Sequence, residues 1–165
     1  MRTLLTAAFS LVLASAVASA QTLNFNFDAV AAKAKEKAEV TLEGALLAQA
    51  LQMAPDKVKG AAANVTRVVL RHYEFDQTGQ YSDNDLEAIR KQVSNWPRLI
   101  NIKDEKETVE IYMLTQDGKP GGFLLIAAEP KELTVVHVVG SIDLASLKEV
   151  VNSTIHYDLK GAAGQ

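Results

Sequence analysis

The stretch Val65 to Phe75, VTRVVLRHYEF, decides the fold. Its β-branched and aromatic side chains suit a pleated, half-buried surface, and the run stops at Asp76-Gln77-Thr78-Gly79, a turn signal. Successive side chains of a strand point to opposite faces. That places Val65, Arg67, Val69, Arg71 and Tyr73 on one face and Val68, Leu70 and His72 on the other. Both faces are mixed, which predicts one packed face and one partly solvated one.

Four more strand candidates follow downstream, at Arg98 to Ile102, Thr108 to Thr115, Gly122 to Ala128 and Leu133 to Gly140. The segments between them, KDEKE, QDGKPG and EPKE, are of turn length. Parallel pairs need long crossovers, so links this short predict antiparallel hairpins. Between the first strand and this group, Ser82 and Asp85 approximate a capping box ahead of the stripe Leu86, Ile89, Val93. The resulting helix is bounded near Trp96-Pro97, because the residue before a proline avoids the helical region.

Upstream, the alanine-rich segment Phe27 to Ala38 predicts a surface helix, with Asn26 as its cap. Glu39 to Leu42 reads as a short extended piece. Leu46, Leu47, Ala50, Leu51 and Ala54 recur at helical spacing and predict a helix from Ala45 to Met53, with a short turn after Pro55. Asp143 caps a last helix bearing Leu144, Leu147 and Val151. The order α-α-β-α-β-β-β-β-α predicts an α+β domain: an antiparallel meander of about five strands with helices packed on one face.

Met1 to Ala20 has the pattern of a cleavable secretory signal: Arg2, an apolar run from Leu4 to Val17, and Ala18-Ser19-Ala20 at the cut. A single domain over residues 21–160 is expected after it, with 161–165 a frayed tail. The expected location is therefore periplasmic or extracellular. The chain has no cysteine, which excludes disulfides, thiolate metal sites and a lipidated cysteine at the cut. Its net charge of −3 argues against nucleic acid and anionic membranes as partners. No further apolar run of spanning length predicts a membrane anchor after cleavage.

Motifs for chemistry are sparse. His72, His137 and His156 lack the H-x-x-x-H and H-E-x-x-H spacings of metal sites, although His72 and His137 converge if their strands are neighbours in the sheet. Asp76, Asp83, Asp85 and Glu87 miss the calcium-loop pattern, and Asp83 and Asp85 read as helix-start charges. Gly121-Gly122 reads as a hairpin turn and not a phosphate loop, and Ser141, Ser146 and Ser153 lack a nucleophile-elbow context. No cofactor or metal is expected. Trp96, the only tryptophan, reads as a lid on one end of the core. Arg67 and Arg71 share a strand face with Tyr73, and two guanidinium groups so spaced suit an anion or a partner's carboxylates. These three residues are the candidate contact face.

The segments TLEGALL from Thr41, RHYEFDQTGQYS from Arg71, Trp96 with Arg98, and GGFLLIAAEPKELTVVHVVGSIDL from Gly121 resemble the bacterial domain-of-unknown-function 4252 family. The resemblance implies a small exported or envelope-attached α+β domain, with some relatives encoded near envelope stress-signalling genes. Many relatives carry a lipidated cysteine where this chain has Ala20-Gln21, so attachment is not implied here. The family has no established activity, and no residue role carries over from it. The expectation is a non-enzymatic envelope protein acting through contacts with another envelope protein. The alternative is a small carrier holding an apolar or lipidic ligand against Leu46, Leu47, Leu51 and Met53.

Overall fold

In the computed structural model the described residues are 25–142 and 145–147. The expected signal segment 1–20, most of the expected last helix, His156 and the expected tail lie outside them. Along the chain the elements are α1 (Asp28–Ala31), β1 (Glu36–Glu43), α2 (Gly44–Met53), α3 (Asp56–Ala61), β2 (Val65–Glu74), α4 (Asp83–Gln92), β3 (Arg98–Lys103), β4 (Thr108–Gln116), β5 (Lys119–Ala128) and β6 (Glu132–Gly140). They build one antiparallel sheet in the order β1-β2-β6-β5-β4-β3. The last four strands form the expected meander, and β2 then pairs with β6.

The class is α+β, as the pattern predicts, and the sheet has six strands rather than five. The added strand is β1, which starts inside the segment expected to be helical. Helix propensity is a weak preference of tenths of a kcal/mol per residue, on the order of the handful of residues involved. Against it stands the unbonded outer edge of β2, which β1 satisfies along its length from Glu36↔Glu74 to Glu43↔Arg67. The first helix is accordingly cut to the four residues of α1.

Helices cover both faces of the sheet instead of one. The reason is legible in β5, where two interleaved sets of side chains are all buried. Leu124, Ile126 and Ala128 pack with Tyr73, Leu133 and Val135 beneath α4 and the Phe27–Val30 segment. Phe123, Leu125 and Ala127 pack on the opposite face with Val136, Val138, Leu47 of α2, Ala62, Ile142 and Leu147. A strand apolar on both faces requires cover on both. Leu147 sits in a helical turn, Ala145 to Leu147, which is the described part of the expected last helix.

Two local devices shift the side-chain pattern. A bulge between Val65 and Arg67 turns Val65 to the face of Val68 and Leu70, away from the arginines it was expected to accompany. The β4–β5 hairpin turns at Asp117-Gly118, both with positive φ, and not at Gly121-Gly122. That is the two-residue turn whose twist matches its flanking strands. Gly122 lies within β5, where a Cβ would sit 2.3 Å from the Val138 carbonyl oxygen. Its role is close approach to β6.

Candidate functional site

Three groups of polar or exposed side chains stand out from the core. The first is the arginine strip. Across the β1–β2 ladder Arg67 faces Glu43 and Arg71 faces Glu39. Arg67 Nε lies 3.5 Å from Glu43 Oε2 and Arg71 Nε 3.8 Å from Glu39 Oε2, and Arg71 Nη1 donates to the carbonyls of Leu70 and Val40 at 3.0 and 3.3 Å. Arg67 Nε is shut away from solvent without a hydrogen-bond partner. Tyr73 is fully buried and its hydroxyl donates to Glu39 Oε1 at 3.2 Å. Burial, followed by the Glu39 carboxylate, pushes that hydroxyl up to about 12. The strip therefore spends its charges holding β1 to β2, and Tyr73 has no surface to offer a partner.

Next to Arg67 on the same face lies His137, 4 % exposed and opposite Val69. Its ring meets those of Phe25 and Trp96 at 4.9 and 6.0 Å between centroids. Burial, reinforced by the Arg67 charge, lowers its pKa to about 4, so the imidazole is neutral at pH 7. His72 points to the other face. The strands of the two histidines are neighbours, but their side chains do not converge, because the residues have opposite parity in the pleat. Trp96 closes the core end as expected, being 6 % exposed.

The second group is centred on Glu110, 3 % exposed on β4. Arg90 of α4 reaches down to it with Nε 2.9 Å from Oε2, Tyr112 donates its hydroxyl to the same oxygen at 2.9 Å, and Arg98 stands 3.7 Å from Oε1. Glu110 is not singled out by the sequence, because the partners that mark it lie on other elements or two residues along its own strand. The signal was present in Arg90, one turn after Leu86 on the helix that covers β4. Around it opens a cleft of about 440 Å³ that includes Asp83, Glu87, Arg98 and Lys103. Both signs of charge line it, and Glu110 itself is saturated by its partners.

A nucleophile-like chain also exists. Thr134 Oγ1 and His72 Nδ1 are 2.9 Å apart, and His72 Nε2 is 3.4 Å from Glu74 Oε1. Acyl transfer also needs hydrogen-bond donors for an oxyanion. Here β2 and β6 are interior strands paired on both sides, so their backbone N–H groups are committed to the sheet. Two of the acidic residues near the turn are likewise engaged. Asp85 takes Lys33 Nζ at 2.8 Å and the Ser82 N–H at 2.8 Å, and Asp76 takes Lys35 at 2.9 Å. Among the described residues no three acidic or histidine side chains are grouped to hold a metal ion.

The third group is apolar. The helix α2, GALLAQALQM, contains no charge. Leu47 is buried and Leu51 is packed on the core, while Leu46 and Met53 are 59 % and 90 % exposed. Gln49 and Gln52 are its only polar side chains, so its apolar surface is wider than the stripe that meets the core. Of the four large apolar side chains exposed among the described residues, three, Val40, Leu46 and Met53, lie on β1 and α2, which adjoin in sequence and in space.

No helix among the described residues is long and apolar enough to cross a membrane. No curated protein and no solved structure matches the chain. A family model does, over residues 26–150, a span that runs from the start of the described fold through all six strands. The chain belongs to the family described as domain of unknown function DUF4252.

Proposed function

We propose that this is an exported, non-enzymatic envelope protein that works by protein contacts, and that α2 together with β1 is its contact surface. Export is supported by the leader-like composition of Met1 to Ala20. The observation that carries the contact reading is the charge-free α2, which leaves Leu46 and Met53 in solvent beside Val40. Exposed apolar side chains scattered singly are ordinary, whereas three on two adjoining elements support the reading of an interaction surface. The arginine strip lies behind this surface and fixes β1 in place.

The carrier reading draws less support. It needs Leu46, Leu47, Leu51 and Met53 to line one cavity, whereas the first and last of these point to solvent and the middle two pack on the core. The test is chemical cross-linking in the native envelope followed by mass spectrometry, comparing the natural chain with Leu46→Glu/Met53→Glu. The double variant should keep its unfolding midpoint, because both side chains are already exposed, and should lose the cross-linked polypeptide. Retention of every cross-link would remove α2 from the contact.

A further inference from the structure

The outer edge of β1 carries more information than its exposure. On its inner side the strand is fully paired with β2, and among the described residues nothing pairs with its outer side. Open edges are usually blunted by charges that repel a second strand. The charges here, Glu36, Lys37, Glu39 and Glu43, are of both signs, with Lys37 and Glu43 near opposite ends of the strand.

Suppose a second β1 is laid antiparallel against the first across a two-fold axis through Val40. Lys37 then falls opposite Glu43, and by symmetry Glu43 falls opposite Lys37. Glu39 falls opposite Thr41, and Ala38 opposite Leu42. Directly opposed residues share a face of the sheet. The two Lys37–Glu43 pairs therefore lie on the arginine face, where Glu43 already meets Arg67. Ala38, Val40 and Leu42 lie on the face that α2 covers, and both copies place their exposed Leu46 and Met53 on that same side. No like charges oppose one another in this register.

We infer that the partner at this surface is a second copy of the chain, joined edge to edge through β1 into a continuous antiparallel sheet about a two-fold axis. The inference rests on the contact reading of α2 and β1 and names its occupant. The arrangement is isologous and closes on itself, so it gives a dimer and not a fibre. The other free edge, β3, carries Arg98 and Lys103 without an acidic residue, so a two-fold pairing there brings no opposite charges together.

Because the chain lacks cysteine, a single introduced thiol reports the register cleanly. Val40→Cys should give a covalent dimer on mild oxidation, and Leu99→Cys on β3 should not. In sedimentation equilibrium the natural protein should have twice the mass of one chain. Lys37→Glu should weaken the dimer roughly tenfold by opposing Glu43 with glutamate, and Lys37→Glu/Glu43→Lys should restore it. A mass of one chain, or cross-linking of Leu99→Cys but not Val40→Cys, would overturn the two-fold pairing. A one-chain mass combined with loss of a different polypeptide in Leu46→Glu/Met53→Glu would overturn it while leaving the contact reading standing. A dimer indifferent to that double variant would support the edge pairing and remove α2 from it.

Discussion

At the scale of single residues, the molecule keeps one imidazole where it is hardest to charge. His137 is enclosed by Phe25, Trp96 and the Arg67 guanidinium, and its pKa falls from 6.5 to about 4. A folded-state pKa below the unfolded value means that the unfolded chain takes up a proton first. The stability associated with neutral His137 is thus fully present above pH 6.5 and is lost as pH falls toward 4. Two and a half pKa steps at 1.36 kcal/mol each amount to about 3 kcal/mol. Urea unfolding of the natural protein from pH 7 to pH 4 should show a decline of that order, and His137→Phe should flatten it. Asp85 acts in a lower window. Burial pushes its carboxyl up, but Lys33 and the Ser82 N–H and hydroxyl outweigh burial and hold it below 3.8, so its contribution fades only in stronger acid.

At the scale of elements, Asp85 joins two pieces of secondary structure. Its carboxylate accepts from Ser82 at the start of α4 and from Lys33 just beyond α1. Asp85→Ala should destabilise the fold by about 2 kcal/mol, combining a lost cap with a lost charged hydrogen bond. Lys33→Ala should cost less, because its side chain is 42 % exposed and solvent screens the pair. Differential scanning calorimetry of both variants checks the order. This contact also shows how far the sequence could be read. The Ser82–Asp85 spacing announced α4, and the strands announced themselves by composition, because both signals are local. The conversion of Glu36 to Ala38 from helix to strand was not local: it depends on the edge of β2, some thirty residues on. For the same reason Arg67, Arg71 and Tyr73 looked like a free strip, since the carboxylates that occupy them arrive on β1.

At the scale of the whole molecule, both cores share the same strands. Leu124 and Ile126 belong to one and Phe123 and Leu125 to the other, so neither face can melt without taking β5 with it. Unfolding should be two-state. Trp96 fluorescence, which reports one face, and far-ultraviolet circular dichroism, which reports the sheet, should give coincident denaturant midpoints. An earlier fluorescence transition would show that the α4 face opens alone.

The sheet order has a consequence in time. Synthesis delivers β1 and β2 first and then β3, β4 and β5, but β6, the last of the described strands, is the one seated between β2 and β5. Until residue 140 has emerged from whatever machine is making or threading the chain, it holds two separate ribbons with no seam between them. A product stopped before Glu132 retains most of the apolar side chains and none of the means to enclose them, and quality control meets it as an open molecule. Completion is a single late event, the closing of a gap from within.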